Sequence, residues 1–243
     1  MSFRVSDLPL IYFCTGARNH ELLKVFPADK VRFEFDERMA SFRALGHAKG
    51  IHSPVAVCTT SGTAVSQCVS AMLEAKYGDV PLVLISGDRP KKMHGTGAPQ
   101  TVEHDPLTVG ARGSFFEISL PELSSFEIRN PSYPIHINVM VDDTKAHAEV
   151  VKHTSDLGDF EAFLSKVQRP LFLFSHEAES MRPFTLKFAN TNLPYFAETM
   201  SGAHDLSIIR TEKKLIELFK KKYFDGVVRI GHTPLTKVWR LLE

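Results

Sequence analysis

The sequence predicts an α/β protein: a doubly wound parallel sheet followed by a truncated Rossmann-like α/β domain. Short apolar runs, typical of strands buried on both faces of a sheet, alternate with segments of helical period. Most of these runs end in a turn rich in glycine or polar residues. With 243 residues the chain can build one large domain or two small ones. We place the first domain at residues 1–150 and the second at 168–243.

Composition excludes several classes of partner. Lysine and arginine number 29 against 28 acidic residues, so no basic surplus indicates nucleic acid or an anionic membrane. No apolar run approaches the roughly 20 residues that a membrane helix needs, and no basic-then-apolar leader opens the chain. Cys14, Cys58 and Cys68 lie in apolar segments and are odd in number. They are typical of reduced core thiols, so we expect a cytoplasmic protein.

The first predicted strand, residues 8–14, ends in a turn that carries Gly16 and Arg18. A short helix over residues 21–26 should follow. Arg18 would then stand near a helix N-terminus at the open edge of the sheet. Spacing alone favours the alternative, an arginine in solvent.

The second predicted strand alternates over residues 31–35, and Met39, Phe42 and Leu45 then recur at helical spacing. Glu37 falls in the first turn of that helix. One interpretation is that this carboxylate complements the helix dipole and has no other role. It can also face a ligand at the edge of the sheet where parallel strands end.

The third strand, residues 54–58, runs into Thr60, Ser61, Gly62 and Thr63 at the head of another helix. Such a turn can cradle a ligand with backbone N–H groups. A hydroxyl N-cap explains the same residues equally well.

A fourth apolar strand covers residues 80–86 and is expected to end at the turn 87–90. A polar loop follows over residues 91–104, and loops of that length are usually functional or mobile. The most ligand-capable side chains of the turn and the loop are Arg89, His94 and Gln100. Taken singly, each is more often a solvated loop residue.

Two more strands, at 115–120 and 135–141, are joined by a link, 121–134, that has no helical period. A parallel crossover usually carries a helix there. We interpret His136 as a hydrogen-bonded structural histidine. After a polar stretch at 142–166, the second domain is predicted to contain strands at 170–174, 194–197 and 226–230, helices at 183–189 and 211–223, and a last helix after Gly231.

Several motifs in register resemble the pyrimidine-binding domain of thiamine-diphosphate enzymes. The nearer resemblance is to the SEPHCHC synthase (MenD) family of menaquinone biosynthesis. The match is weaker beyond residue 169, where it reaches the start of that family's middle domain. The motifs are Phe35-Asp36-Glu37-Arg38 with Ala44-Leu45-Gly46, Thr60-Ser61-Gly62-Thr63-Ala64, Thr15-Gly16-Ala17-Arg18, Gly87-Asp88-Arg89-Pro90, Gly97-Ala98-Pro99-Gln100 and Ile135-His136-Ile137-Asn138.

The resemblance implies a decarboxylating transferase that forms a C–C bond, adding the unit left from 2-oxoglutarate to isochorismate. Glu37 would hydrogen-bond the aminopyrimidine ring of thiamine diphosphate and promote loss of the thiazolium proton. The turn of Thr60, Ser61, Gly62 and Thr63 would bind the same cofactor. The positions that would face the carboxylate-rich substrates are Arg18, Arg89, Gln100 and Lys237.

The chain departs from the family pattern at Ala17, Pro99 and Val238. It also lacks the Gly-Asp-Gly motif that holds Mg²⁺ and diphosphate, so no metal ligand is assigned and the Mg²⁺ ligands are expected from a domain outside it. The chain is therefore expected to be inactive alone. It would act in a homodimer, or in a heteromer with a diphosphate-binding chain. Two alternatives stay open: a catalytically inactive relative that serves as a binding or scaffolding subunit, and a fragment of a longer protein.

Overall fold

The computed structural model describes residues 2–95, 98, 100–142, 158–175, 182–189, 191, 193–201 and 208–231. These residues divide into two compact units, the first comprising 2–94 and 100–142. No helix in those ranges combines the length and the apolar character that crossing a membrane requires.

The first unit contains the following elements. Its strands are β1 (Ser2–Arg4), β2 (Ile11–Cys14), β3 (Val31–Glu34), β4 (Val55–Thr59), β5 (Leu82–Asp88), β6 (Ser114–Ser119), β7 (Glu127–Arg129) and β8 (Ile135–Met140). Its α-helices are α1 (Glu37–Ile51), α2 (Thr63–Gln67), α3 (Val69–Tyr77) and α4 (His104–Thr108).

Six strands form one parallel sheet in the order β3-β2-β4-β5-β8-β6. The predicted α/β class and parallel sheet are confirmed. Strands β4 and β5 are buried along their whole length, which explains why their sequences are apolar runs rather than alternating ones. Because the strands are parallel, the carboxyl ends of β2, β4 and β5 meet at one edge.

The two faces of this sheet are covered differently. Helices α1, α2 and α3 cover one face, and Ala40, Ala44 and Ala48 let α1 approach it closely. The other face is covered by 3₁₀ segments and by the short strands β1 and β7. The helix predicted at 21–26 is instead a 3₁₀ segment, His20–Val25. Pro27 follows and biases the residue before it toward extended backbone, so one short turn has no room to grow into an α-helix.

Strand β5 is longer than the sequence predicts. We expected the turn 87–90 to end it, but Asp88 is still paired, with Met140 of β8. The Arg18 carbonyl packs against Gly87 and leaves no room for a Cβ atom, which explains why this strand position is a glycine. The carboxylate of Asp88 is thereby buried at the edge of the sheet.

The crossover from β6 to β8 carries no α-helix, as its sequence predicts. It contains a 3₁₀ turn, Leu120–Glu122, and β7, which pairs antiparallel with β1. Sequence reasoning missed this two-stranded sheet because each strand has only three residues.

The second unit has its own parallel sheet, in the order β10-β9-β11. Its strands are β9 (Pro170–Phe174), β10 (Tyr195–Ala197) and β11 (Gly226–Ile230), and its helices are α5 (Gly158–Lys166), α6 (Arg182–Ala189) and α7 (Glu212–Lys220). The three predicted strands are confirmed. Helix α5 falls in the polar stretch 142–166, for which the sequence predicts no helix, and the helix predicted after Gly231 lies outside the described residues.

The packing of Gly87 predicts a contrast between two glycine substitutions. In Gly87→Ala the new methyl group would lie 2.8 Å from the Arg18 carbonyl carbon, forcing backbone movement that should cost about 1–3 kcal/mol of unfolding free energy. In Gly46→Ala, on the open surface of α1, the methyl group meets nothing within 4 Å and should stabilise by about 0.5–1 kcal/mol. Urea unfolding of both variants measures the difference. Equal effects would contradict the close approach at Gly87.

Candidate functional site

Three strand-to-helix turns converge at the carboxyl edge of the large sheet. The backbone N–H of Arg18 donates to Oγ1 of Thr60, at 3.2 Å. Gly16 lies against the Thr60 side chain, so that a Cβ there would come within 2.7 Å of its Cγ2. Gly87 lies against the Arg18 carbonyl. Close contacts of Gly16 with Thr60 and of Gly87 with Arg18 thus hold the ends of β2, β4 and β5 together.

The turn formed by residues 60–63 is largely enclosed. Thr60, Ser61 and Gly62 are buried, and Thr63 is exposed. The Ser61 hydroxyl is buried and has no hydrogen-bond partner among the described residues. A buried hydroxyl without a partner costs free energy, so a ligand that supplies one would bind favourably here.

Gln100 packs beside this turn. A Cβ on Gly62 would lie 3.5 Å from the Gln100 Cα, so the two backbones are in contact distance. Gln100 itself has φ of 57°, and its side chain is exposed. The structure therefore brings Gln100 to the 60–63 turn.

Glu37 is the first residue of α1. Asp36 caps the helix by accepting from the Met39 N–H at 2.8 Å, which sets the direction of the first turn. The Glu37 side chain is half-buried and makes no hydrogen bond or ion pair with the described residues. Its carboxylate is therefore available to a ligand.

The neighbouring thiols show what surrounds this carboxylate. Burial, with a further contribution from Glu37, raises the pKa of Cys14 to about 12. Burial also raises the pKa of Cys68, with smaller contributions from Cys14 and Glu37. All three cysteines are buried free thiols, which confirms the predicted core thiols.

Arg18 and Arg89 are not solvent residues. They are 6% and 2% exposed, so the alternative that spacing favoured is wrong for both. The Asp88 carboxylate is fully buried and accepts from the Arg89 N–H at 2.7 Å and from Asn138 Nδ2 at 2.9 Å. His94 is half-buried, with Nε2 3.5 Å from Asp88 Oδ2.

A network of buried polar side chains joins strands β5 and β8 to helix α4. His136 Nε2 lies 2.8 Å from Ser86 Oγ, and its Nδ1 lies 2.8 Å from Thr108 Oγ1. This confirms His136 as a hydrogen-bonded structural histidine. Ser86 Oγ also donates to Asn138 Oδ1 at 2.8 Å.

His104, which sequence reasoning did not single out, joins this network to the 60–63 turn. Its Nε2 accepts from the Gly62 N–H at 3.2 Å, and its Nδ1 lies 2.7 Å from Asn138 Oδ1. Burial lowers the pKa of His104 against an opposing pull from Asp88, and burial lowers the pKa of His136 further. The only local signal is a histidine that opens a short helix after a loop, and its contact to Gly62 spans 42 residues.

The structure thus gathers most of the predicted site residues at one edge. Contacts join Arg18, Thr60, Gly62, Gln100 and the Arg89 backbone, and Glu37 begins the neighbouring helix. Lys237 lies outside the described residues, as do Gly97 and Pro99 of the loop. Within the described ranges, no group of three or more His, Cys, Asp or Glu side chains could hold a metal ion.

The two buried histidines predict that stability falls on mild acidification. Burial lowers the pKa of both rings in the folded state, while the unfolded chain protonates them near their usual pKa of 6.5. The unfolded state therefore binds more protons below that pH. Unfolding free energy should drop by about 1.4 kcal/mol per pH unit for each proton taken up.

Urea unfolding from pH 7.5 to pH 5.5 measures this slope. His136→Gln should have a shallower slope, and His20→Gln, at an exposed position, should keep the wild-type one. A wild-type slope equal to that of His136→Gln would refute the assignment.

The chain is similar to known proteins over this region. The family described as "Thiamine pyrophosphate enzyme, N-terminal TPP binding domain" matches residues 7–107. A solved thiamin diphosphate-dependent enzyme from Mycobacterium smegmatis overlays with a TM-score of 0.49 at 14% identity, covering 94% of this chain and 51% of that one.

Curated relatives extend the similarity. A 2-succinyl-5-enolpyruvyl-6-hydroxy-3-cyclohexene-1-carboxylate synthase from Bdellovibrio bacteriovorus is 31% identical over 95% of this chain and 49% of its own length. Proteins of the same name from Corynebacterium diphtheriae and Akkermansia muciniphila are each 42% identical over 54% of this chain, and over 26% and 25% of theirs. The chain thus spans about half the length of the first of these relatives. Residues 7–107 belong to the family of N-terminal domains of thiamine pyrophosphate enzymes, and the chain as a whole is a relative of the 2-succinyl-5-enolpyruvyl-6-hydroxy-3-cyclohexene-1-carboxylate synthases.

Proposed function

We propose that this chain supplies the pyrimidine-binding half of a SEPHCHC synthase of menaquinone biosynthesis, which adds the decarboxylated 2-oxoglutarate unit to isochorismate. One observation carries the proposal. A half-buried carboxylate, Glu37, and a buried hydroxyl, Ser61, both without a hydrogen-bond partner among the described residues, lie at the same edge of a parallel sheet. The names of the relatives support this chemistry.

The residues present fit the pyrimidine part of thiamine diphosphate. The Ser61 hydroxyl needs a hydrogen-bond partner, which a ring bearing an amino group and ring nitrogens supplies. Thr60, Gly62 and Thr63 would complete the binding turn. When bound, the cofactor supplies a carbon nucleophile for a 2-oxo acid and accepts the electron pair released by decarboxylation.

Glu37 would act on a proton of the aminopyrimidine ring. A carboxylic acid can donate to a ring nitrogen, and the carboxylate can take the proton back, which is general acid–base catalysis. Glu37 lies in the first turn of α1, and the buried thiols of Cys14 and Cys68 are its neighbours.

The arginines would bind the substrates. Both proposed substrates are carboxylates, and a guanidinium pairs with a carboxylate through two parallel hydrogen bonds. Arg18 and Arg89 are buried at the edge that holds the 60–63 turn, where such pairing is screened little by water. Gln100 and Lys237 would add polar contacts to the same substrates.

Magnesium and the diphosphate would be held by another part of the assembly. The described residues offer no metal-ligating cluster, and a diphosphate needs a hard cation with oxygen ligands. We therefore expect the isolated chain to be inactive and to function with a diphosphate-binding partner. The three buried thiols support a reducing compartment, the cytoplasm.

The surface around Glu37 supports association with a second polypeptide, as a homodimer or as a heteromer. Phe35 is 99% exposed, and Met39 and Phe42 are 53% and 41% exposed on the outer face of α1. Phe33, on the edge strand β3, is 60% exposed. Large apolar side chains clustered on a surface mark interaction sites.

The central prediction concerns Glu37→Gln. Thiamine diphosphate and Mg²⁺ should bind when the diphosphate-binding partner is present, as calorimetric titration measures. Glu37→Gln should then lower turnover of 2-oxoglutarate and isochorismate by roughly 10²–10⁴-fold, because the amide cannot exchange the proton. The matched control is Glu74→Gln, at an exposed site on α3, which should retain activity.

Full activity of Glu37→Gln would refute the role of that residue. Turnover by the isolated chain would refute the need for a partner. A complex that forms without binding the cofactor would identify a catalytically inactive relative that serves as a binding or scaffolding subunit.

Association is tested by light scattering over a range of protein concentrations. We expect a mass above that of one chain, either for the protein alone or with its partner. Met39→Lys should shift the assembly toward monomer because a charge is desolvated in the contact. Tyr77→Lys, at an apolar position 83% exposed on α3, is the control and should leave the mass unchanged. A monomer at every concentration, with and without partner, would overturn the proposal.

A further inference from the structure

Gly62 has a backbone conformation that needs support. Its φ of 82° and ψ of −142° lie in a region that side chains rarely permit. The residue is buried, so its N–H cannot turn to water. It donates instead to Nε2 of His104, at 3.2 Å.

This contact fixes the tautomer of His104. Because Nε2 accepts from the Gly62 N–H, the ring proton resides on Nδ1. Nδ1–H donates to Asn138 Oδ1 at 2.7 Å, and Asn138 Nδ2 donates to Asp88 Oδ2 at 2.9 Å. Asp88 Oδ1 accepts from the Arg89 N–H at 2.7 Å.

The nearest acceptor for the His104 Nδ1–H is Asn138 Oδ1, since Ser86 Oγ and Asp88 Oδ2 lie farther from Nδ1, at 3.2 Å and 3.5 Å. Reversing the Asn138 amide would place its NH₂ against the His104 N–H and its carbonyl against the Asp88 carboxylate. A half turn of the His104 ring would place Cε1–H instead of Nε2 against the Gly62 N–H, and Cδ2–H instead of Nδ1 against Asn138 Oδ1. The network therefore has one consistent arrangement, which links the 60–63 turn to the backbone of Arg89.

We propose that His104 is a positioning residue that holds the 60–63 turn in its ligand-ready conformation and ties it, through Asn138 and Asp88, to Arg89. The inference rests on the proposed function in one respect only: the ligand of the turn is the pyrimidine ring of thiamine diphosphate. His104 does not touch that ligand. It acts through the Gly62 backbone and thereby sets where the neighbouring Ser61 hydroxyl lies.

Nuclear magnetic resonance on the full chain tests the contact without cofactor. Long-range ¹H–¹⁵N spectra at pH 7.5 should show the Nδ1–H tautomer of His104. His104→Leu should speed exchange of the Gly62 amide proton by about tenfold. His104→Gln should keep the wild-type rate, because its amide can both accept from Gly62 and donate to Asn138.

Thr108→Val is the matched control for stability. It removes the hydroxyl that lies 2.8 Å from His136 Nδ1 and donates to the His104 carbonyl at 3.4 Å, but it leaves the His104 ring and its contact with Gly62 in place. Exchange at Gly62 should therefore stay at the wild-type rate even if unfolding free energy falls. Faster exchange in Thr108→Val to the same extent as in His104→Leu would mean general loosening and would overturn the positioning role.

Calorimetric titration of thiamine diphosphate with Mg²⁺ into the assembly gives the second readout. His104→Leu should raise the Kd about tenfold, and His104→Gln should keep it within about twofold. If the wild type binds the cofactor and His104→Leu has the same Kd, the positioning role is refuted and the proposed function stands. Absence of binding to the wild type would refute the proposed function and this ligand for the turn, and the exchange data would still decide the His104–Gly62 contact.

Discussion

The fully buried carboxylate of Asp88, at the end of β5, is the constraint on which this edge of the molecule depends. A buried anion is tolerated only where donors surround it. The Arg89 N–H and the Asn138 amide provide them, so the Asn138 orientation is set by the charge. That orientation in turn selects the tautomer of His104 in which Nε2 accepts a hydrogen bond from the Gly62 N–H. One charge thereby organises residues on strands β5 and β8, on helix α4 and in the 60–63 turn.

Close backbone approach is the second constraint. Gly16 and Gly87 stand where the Thr60 side chain and the Arg18 carbonyl leave no space for a Cβ atom. A larger residue at either place would push apart the strand ends whose loops carry the site. The glycines of the outer helix face differ, because Gly46 and Gly50 meet nothing within 4 Å. Sequence alone does not distinguish these two kinds of glycine.

Sequence reasoning succeeded where one local signal decided the structure. The apolar runs identified the buried parallel strands, and helical spacing after residue 35 placed Glu37 in the first turn of α1. Reasoning from spacing failed for Arg18 and Arg89, since a charged loop residue is usually solvated and nothing local shows that these two are buried. It also failed for His104, whose partners Gly62 and Asn138 lie 42 and 34 residues away.

By itself the sequence determined the α/β class, the parallel strands of both units and the position of Glu37 at a helix N-terminus, because hydrophobic period and helix caps are local properties of the chain. Motifs in register also determined the resemblance to thiamine-diphosphate enzymes. Only the tertiary structure decided which polar groups are buried together and which lack a partner, as the Ser61 hydroxyl does among the described residues. Burial and hydrogen-bond satisfaction depend on contacts between distant segments, and those contacts exist only once the sheet has brought its strand ends to one edge.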